Sequence, residues 1–457
     1  MRTPARQPAA TVAVIALVAP PLAYAAALRP YLALAGMAAA GIMALVLLRA
    51  DLLLLILVAA LPWEDSLAPP SAPIPVVKLL GLLLIAAWAL RAAAGREPLR
   101  LPAVLVTVAA FTYAVGVSFL VSPDQSVSLV KTTSYVLFAL FFFVIVQLVR
   151  DHADVRRVLI VVSLSAAASG ARGLFEFLVL GTERAAGPIS DPNGFAYVLA
   201  SVLPLGGYLV ATERRLRWLW VVCFALIAAA VAASLSRGAL VGLAVVVLWA
   251  LLTGRIAARK ALLGSAVLIT VAVGVFILVS PVIGDRVERK QSYGSKNVSS
   301  RQAFYRGALA MAADRPLAGI GPARFGTEAE QYVKGNPVAL EDPVVHNSYL
   351  EILAESGIFA LASFFAFLAA TWRLLAHGRR RSLSAGDRDG SRLASALQST
   401  LLVAVVSGMF ISAQLTTPFW LLGGLAAIFA GVAERPARLA SRGRPPLPNA
   451  TLTSTPA

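Results

Sequence analysis

The sequence predicts an all-α protein, a polytopic bundle of transmembrane helices carrying one large extracytoplasmic loop. Three observations predict it. Hydrophobic residues make up 59% of the chain and charged residues only 14%, against roughly 25% charged in soluble domains. The mean hydropathy is +0.79. Apolar runs of about 17 to 25 residues recur from end to end, the length one helix needs to cross a bilayer. A β-barrel would show short alternating segments instead.

Taken in order, the predicted spans are 12–28, 31–48, 52–62, 76–94, 102–121, 129–149, 158–180, 194–212, 218–234, 238–253, 261–283, 347–376, 393–414 and 417–433. Pro20, Pro21 and Pro62 interrupt the first three, so the expected count is 12–14 spans. The chain therefore divides into a transmembrane region, 1–283, a large outer loop, 284–346, C-terminal transmembrane helices, 347–433, and a disordered tail, 434–457, rich in Pro, Arg and Ser.

Basic residues orient this arrangement. Arg49, Arg96, Arg100, Arg150, Arg156, Arg157, Arg214, Arg215, Arg217, Arg255, Arg259, Lys260, Arg379, Arg380 and Arg381 fall in alternate connections. The short loops between them, around Trp63-Glu64-Asp65, Ser122-Pro123-Asp124, Gly181-Thr182-Glu183 and Leu415-Thr416-Thr417, carry almost none. The positive-inside rule then puts both termini in the cytoplasm and the 284–346 loop outside it. The formal net charge of +17 follows from this topology and is no sign of nucleic acid. Cys223 lies alone in an apolar span, which excludes a disulfide framework.

The most informative stretch is Val345-His346-Asn347-Ser348-Tyr349-Leu350-Glu351, running on through Glu355, Ser356, Gly357 and Ile358. Ser348 and Glu351 form a capping-box pattern that starts a helix at about Ser348. His346 then stands just before a helix N-terminus, where negative charge is favoured. Leu350, Leu353, Ala354, Gly357 and Ile358 share one helical face, and Ser348, Glu351 and Glu355 line another. Within the outer loop, Ser299 to Ala313 reads as a helix with Phe304, Ala308 and Met311 on one face; Pro316 ends it and Gly319-Ile320-Gly321-Pro322 is turn chemistry. No strand precedes that Gly-x-Gly, so it is not a dinucleotide fingerprint.

Ionisable residues inside spans are costly, about 2.5–3.5 kcal/mol each on insertion scales. Here Lys78, Lys131, Arg172 (with Glu176 one turn on) and Arg237 gather at one level, the outer leaflet. Snorkelling or local pairing accounts for single cases. Together they suit an anion held at the membrane surface, such as a lipid pyrophosphate, because guanidinium forks match phosphate geometry. Arg301 and Arg306, on the loop helix, are positioned to close over it.

The His346-to-Glu351 motif with Glu355 and Gly357, Ser236-Arg237-Gly238, Asp191-Pro192-Asn193-Gly194-Phe195, and Arg301 followed by Pro316-Leu317-Ala318-Gly319-Ile320-Gly321 and Phe325 together resemble the O-antigen ligase/polymerase superfamily. Motifs cover roughly residues 185–375; elsewhere the likeness is one of topology. The resemblance implies a metal-independent glycosyltransferase without cofactors, in the bacterial inner membrane. It implies transfer of a glycan from undecaprenyl pyrophosphate to an acceptor hydroxyl on the outer face, with inversion. The acceptor is a glycan, a lipid A-core or a protein. His346 is then the general base, and Arg237 and Arg301 stabilise the leaving pyrophosphate. Arg172, Arg306 and Lys131 assist in binding, with Glu351, Glu355 and Asn347 orienting the imidazole or the acceptor. His152 and His377, in basic cytoplasmic loops, are expected to be solvated. Two other classes compete: a secondary transporter of a small anion, which would show midplane ionisable sites and a two-half repeat, and a non-catalytic envelope-assembly protein.

Overall fold

The computed structural model describes residues 49–67, 75–95, 99–255, 300–333 and 343–442, with side chains to 429. The predicted spans 12–28, 31–48 and 261–283, and parts of the outer loop and tail, lie outside these. The described residues form helices and turns without strands. The helices are α1 (Ala50–Ala60, continued by a 3-10 turn Leu61–Trp63), α2 (Val76–Ala93), α3 (Val104–Leu120), α4 (Gln125–Leu148), α5 (His152–Leu178), α6 (Pro192–Thr212), α7 (Arg217–Ala233) and α8 (Arg237–Leu252). There follow α9 (residues 300–314), α10 (Arg324–Tyr332), α11 (Ser348–Ser384), α12 (Arg388–Ser407) and α13 (Thr417–Arg442). Helices α2, α4, α5, α6 and α11 are long and apolar enough to cross a membrane, and α1, α3, α7, α8 and α13 are shorter apolar helices. The protein is a multi-pass membrane protein.

Short polar side chains start the helices where the sequence changes character. Asp124 accepts from Ser126 and Val127 at the head of α4, Asp151 from Asp154 at α5, and Asp191, ahead of Pro192, from Asn193 and Gly194 at α6. The bundle thus has two ends. The starts of α4, α6, α8, α11 and α13 define one, called the rim below; the arginine-rich connections define the opposite, basic end.

Helix α11 runs through the middle, packed on α3, α12 and α13, while α6 packs on α7 and α12. Phe111, Tyr135, Phe364, Phe367, Phe419 and Trp420 interlock around it, with ring centroids 5.3 Å apart for Phe111–Tyr135 and 5.4 Å for Phe364–Phe419. Glycines permit the closest crossings. A Cβ on Gly424 would lie 2.7 Å from Ile145, and α8 meets α12 where Gly242 faces Val403 and Ser407. A second, smaller core at the rim joins α9, through Phe304, Ala308 and Met311, to Phe325, Ala329, Val333 and Val345. The face predicted for the loop helix is the one that is buried.

Three expectations need correction. The single helix predicted over 347–376 is broken at Gly357 (φ 78°, ψ −177°), so no continuous stripe runs from Leu350 to Ile358; Ala354 is buried and Ile358 is 44% exposed. The break releases main-chain groups, and the outer segment takes them up. Ile320 N donates to Ala354 O (3.0 Å), Gly321 N to Glu355 O (2.9 Å) and Ile358 N to Pro316 O (2.8 Å), while Ser118 Oγ donates to Glu355 O (2.7 Å). Gly319, at φ 71°, passes so close to the Glu355–Ser356 peptide that any side chain would overlap it. Secondly, α12 stops at Ser407 rather than at 414, and residues 408–416 form a loop. Finally, His152 is half-buried and stacks on Phe429 (5.0 Å), and exposed His377 lies within α11.

Gly357→Ala should cost at least about 2 kcal/mol, because it combines an unfavourable positive φ with a collision against the Leu317 carbonyl. Gly116→Ala, inside α3 with open space around it, should be neutral or stabilising. Thermal unfolding of the two variants in detergent checks this; equal midpoints would refute the account of the break.

Candidate functional site

The 408–416 loop is where the segments that carry Arg237, Arg301 and His346 meet. Ser348 N donates to both Gly408 O (2.9 Å) and Ile411 O (3.0 Å), Ser348 Oγ donates to Ile411 O (2.8 Å), and Ala413 N donates back to Ser348 Oγ (2.8 Å). Arg301 Nη1 donates to Phe410 O (3.3 Å), and Tyr305 OH to Met409 O (3.4 Å). On the third side, Gly238 lies against Phe410, where a Cβ would be 2.7 Å from Phe410 Cβ, and Ser407 Oγ donates to Gly238 O (3.2 Å). One nine-residue loop therefore touches the residue after Arg237, Arg301 itself, and the residue two beyond His346.

His346 is half-buried between buried Val345 and Asn347 and has φ 52°. A left-handed conformation is uncommon for a residue with a side chain and costs of order 1–3 kcal/mol, so neighbours must impose it. The residue that follows is fixed by the helix start. Asn347, not Ser348, is the N-cap of α11: its Oδ1 accepts from Tyr349 N (3.0 Å) and Leu350 N (3.1 Å). Ser348 is committed to the 408–416 loop instead, and Glu351 does not close a capping box.

Glu351 and Glu355 hold Lys131 between them. Lys131 Nζ pairs with Glu351 Oε1 and lies 2.6 Å from Glu355 Oε2; the Lys131 side chain is 15% exposed, and the two carboxylates less. Ser412 and Gln414 (2.7 Å) also donate to Glu351. Ala323 N (3.0 Å) and Phe325 N (3.3 Å) donate to Glu355. Each of the four carboxylate oxygens thus meets at least one donor, which is the condition for such a cluster to persist. The cluster ties α4, the head of α11, the segment before α10 and the 408–416 loop together. Lys131 is consumed by this network.

Arg237 is exposed at the first position of α8, whose first turn has no side-chain cap, so the positive end of that helix lies beside the guanidinium. The preceding hairpin is strained at Leu235 (φ 53°). It is pinned by a residue that the sequence reading passed over. Arg184 Nε donates to Ser234 O (2.7 Å), its Nη2 donates to Asn193 Oδ1 (2.8 Å), and Ala185 N donates to Ala233 O (3.1 Å). Burial lowers the Arg184 pKa below the ordinary arginine value, the Asp191 charge opposes this, and the like charge of Arg301 adds to it. Arg184 and Arg301 therefore feel each other across the rim. A lone arginine in a connection on the sparsely basic side was the signal available in the sequence.

The remaining candidates have the following surroundings. Arg172 pairs with Glu176 (2.9 Å), Arg306 is exposed on α9, and Lys78 lines an apolar groove with Glu64, Leu61 and Phe138. Among the described residues no three His, Cys, Asp or Glu side chains gather in a way that would hold a metal ion.

Residues 221–365 match the family model described as O-Antigen ligase. No curated protein matches the chain. The matched stretch runs from α7 into α11, so it holds Arg237, Arg301, His346, Glu351 and Glu355. Arg184, Lys131 and the 408–416 loop lie outside it.

Lys131→Met leaves two carboxylates facing one another in a dry site and should cost about 3–5 kcal/mol. Adding Glu351→Gln and Glu355→Gln to it should recover most of that loss. The check is the unfolding midpoint of the purified variants; a single variant as stable as the parent would show that the cluster carries no structural weight.

Proposed function

We propose that this chain, a member of the O-antigen ligase superfamily, transfers a glycan from undecaprenyl pyrophosphate to an acceptor hydroxyl, at a site on the rim of the bundle. The observation that supports the reading is the meeting of three elements on the 408–416 loop: the Arg237 hairpin, the Arg301 helix and the capped segment that carries His346.

The chemistry follows from the donor. A sugar carried on a pyrophosphate has a good leaving group, which needs charge stabilisation more than protonation. Arg237 and Arg301, with the uncapped start of α8, bind the diphosphate and stabilise the negative charge that grows on it. Arg184 holds the hairpin that presents Arg237. His346 accepts the proton of the acceptor hydroxyl as its oxygen attacks the anomeric carbon, and the carbon–oxygen bond to the pyrophosphate breaks with its electron pair leaving on the lipid diphosphate. Attack opposite the leaving group inverts the anomeric centre. No step in this scheme calls on a metal. Asn347, Glu351 and Glu355 act on the geometry of the base through the cap of α11 and the Lys131 cluster. In this reading the rim faces away from the cytoplasm of a bacterial inner membrane, both termini are cytoplasmic, and the acceptor is a glycan, a lipid A-core or a protein.

The test is transfer by purified protein in nanodiscs, given lipid-linked donor and acceptor. His346→Ala should lower the rate about 10²–10⁴-fold, and Arg237→Ala or Arg301→Ala about 10²–10³-fold, with insertion and yield unchanged. Arg237→Lys should also impair transfer, since a point charge does not replace a planar fork. Wild-type rates in His346→Ala would remove the base from the mechanism.

A further inference from the structure

At the basic end, α8, α11 and α12 meet around Arg255, which follows the last turn of α8. Its guanidinium carbon lies 3.9 Å over the Trp249 ring, and its Nη1 donates to Gln398 Oε1 (2.7 Å). Trp372 of α11 packs edge-on against Trp249, with centroids 5.4 Å apart. One turn and three residues further along α11, Arg379 Nε donates to Ser395 Oγ (3.1 Å) on α12. These contacts leave donors over. Arg255 Nε and Gln398 Nε2 are buried with no hydrogen-bond partner, and Gln398 is only 1% exposed.

The orientation of the Gln398 amide is settled by its neighbour. Turning it over would set its NH2 group against the guanidinium, so the unpartnered atom is a donor and not an acceptor. Burial pulls the Arg255 pKa down to about 10, and the like charge of Arg379 pulls the same way. Two cations and a buried amide donor thus come together where α8, α11 and α12 meet, and Arg255 Nε and the Gln398 amide are left without an acceptor among the described residues. A helix interface built only for packing would bring in a carboxylate or a carbonyl there, because buried donors are almost always paired.

We propose that this cleft binds the phosphate of an anionic phospholipid, held by Arg255, Arg379 and the Gln398 amide. The phosphate chemistry is given by the donors: guanidinium groups match its oxygens and are weakly hydrated. The lipid is favoured over a soluble phosphate by location. Trp249 and Trp372 mark a membrane–water boundary, where indole rings concentrate, and basic pockets between helices on such a surface recognise lipid headgroups. Half-exposed Arg255 and Arg379 lie within reach of the bilayer, while Gln398 closes the inner wall. The site is at the opposite end of the bundle from Arg237 and His346 and does not rest on the transfer reaction.

The experiment uses the full chain, delipidated in a neutral detergent. Dioleoyl phosphatidylglycerol, dioleoyl phosphatidylcholine or inorganic phosphate is then added, and bound lipid is counted by native mass spectrometry beside the thermal midpoint. Phosphatidylglycerol should be retained at least tenfold better than phosphatidylcholine and should raise the midpoint. Arg255→Gln combined with Arg379→Gln should abolish the preference, and Arg215→Gln, at the same end but outside the cleft, should leave it intact. If the double variant does not fold, Gln398→Leu alone should weaken retention several-fold. Equal retention of the two lipids, or a preference that survives in every cleft variant, overturns the proposal. Inorganic phosphate stabilising as strongly as phosphatidylglycerol overturns the lipid as its source.

Discussion

One ammonium group shared by two carboxylates sets the geometry of the rim. Lys131 reaches from α4 to Glu351 and Glu355, one turn apart on α11, and the donors that complete those carboxylates come from two loops distant in sequence. Removing charged groups from water is costly, and a trio of this kind is worth having only if each member is fully satisfied. Satisfaction here demands that α4, α11, the segment before α10 and the 408–416 loop take up one mutual arrangement. An apolar contact in its place would tolerate sliding. In a membrane, where packing between helices is not driven by exclusion of water, such a directional lock fixes register.

The fold was legible to the extent that it depends on burial in lipid. Apolar run length located the spans that fall in the described residues and basic residues marked alternate connections, while caps at Asp124, Asp151 and Asp191 start three of those helices a few residues ahead of their apolar runs. What stayed hidden depends on long-range pairing. Gly357 lies in an apolar run and reads as a small packing residue; it is a break because Pro316 to Gly321 arrives to bond the groups it frees. Residues 408–414 are apolar enough to read as more of α12, and they join the loop because Ser348, Arg301 and Glu351 need their carbonyls and side chains.

The site shows the same division. His346, Arg237 and Arg301 stand out by residue type and by position against the expected topology. The functions of Lys131, Glu351 and Glu355 were not readable in that way. A lysine near the rim and two glutamates on one helical face suggest a ligand site when seen separately, and only the fold shows that they pair with one another across 220 residues. Arg184 was hidden for the opposite reason: it is a single cation in a connection with Thr182 and Glu183, and only the fold brings Ser234 and Asn193 to it.

The interruption of α11 divides responsibility within that helix. From Gly357 onward it belongs to the bundle and packs on α3 and α13. The nine helical residues before it, which follow His346 and Asn347, are sewn to the polypeptide that leads out of α9, the helix bearing Arg301. The imidazole and that guanidinium therefore stand on segments bonded to each other and, through Lys131 and Ser118, to α4 and α3, so the contacts that join the two segments are continuous with those that hold them to the bundle.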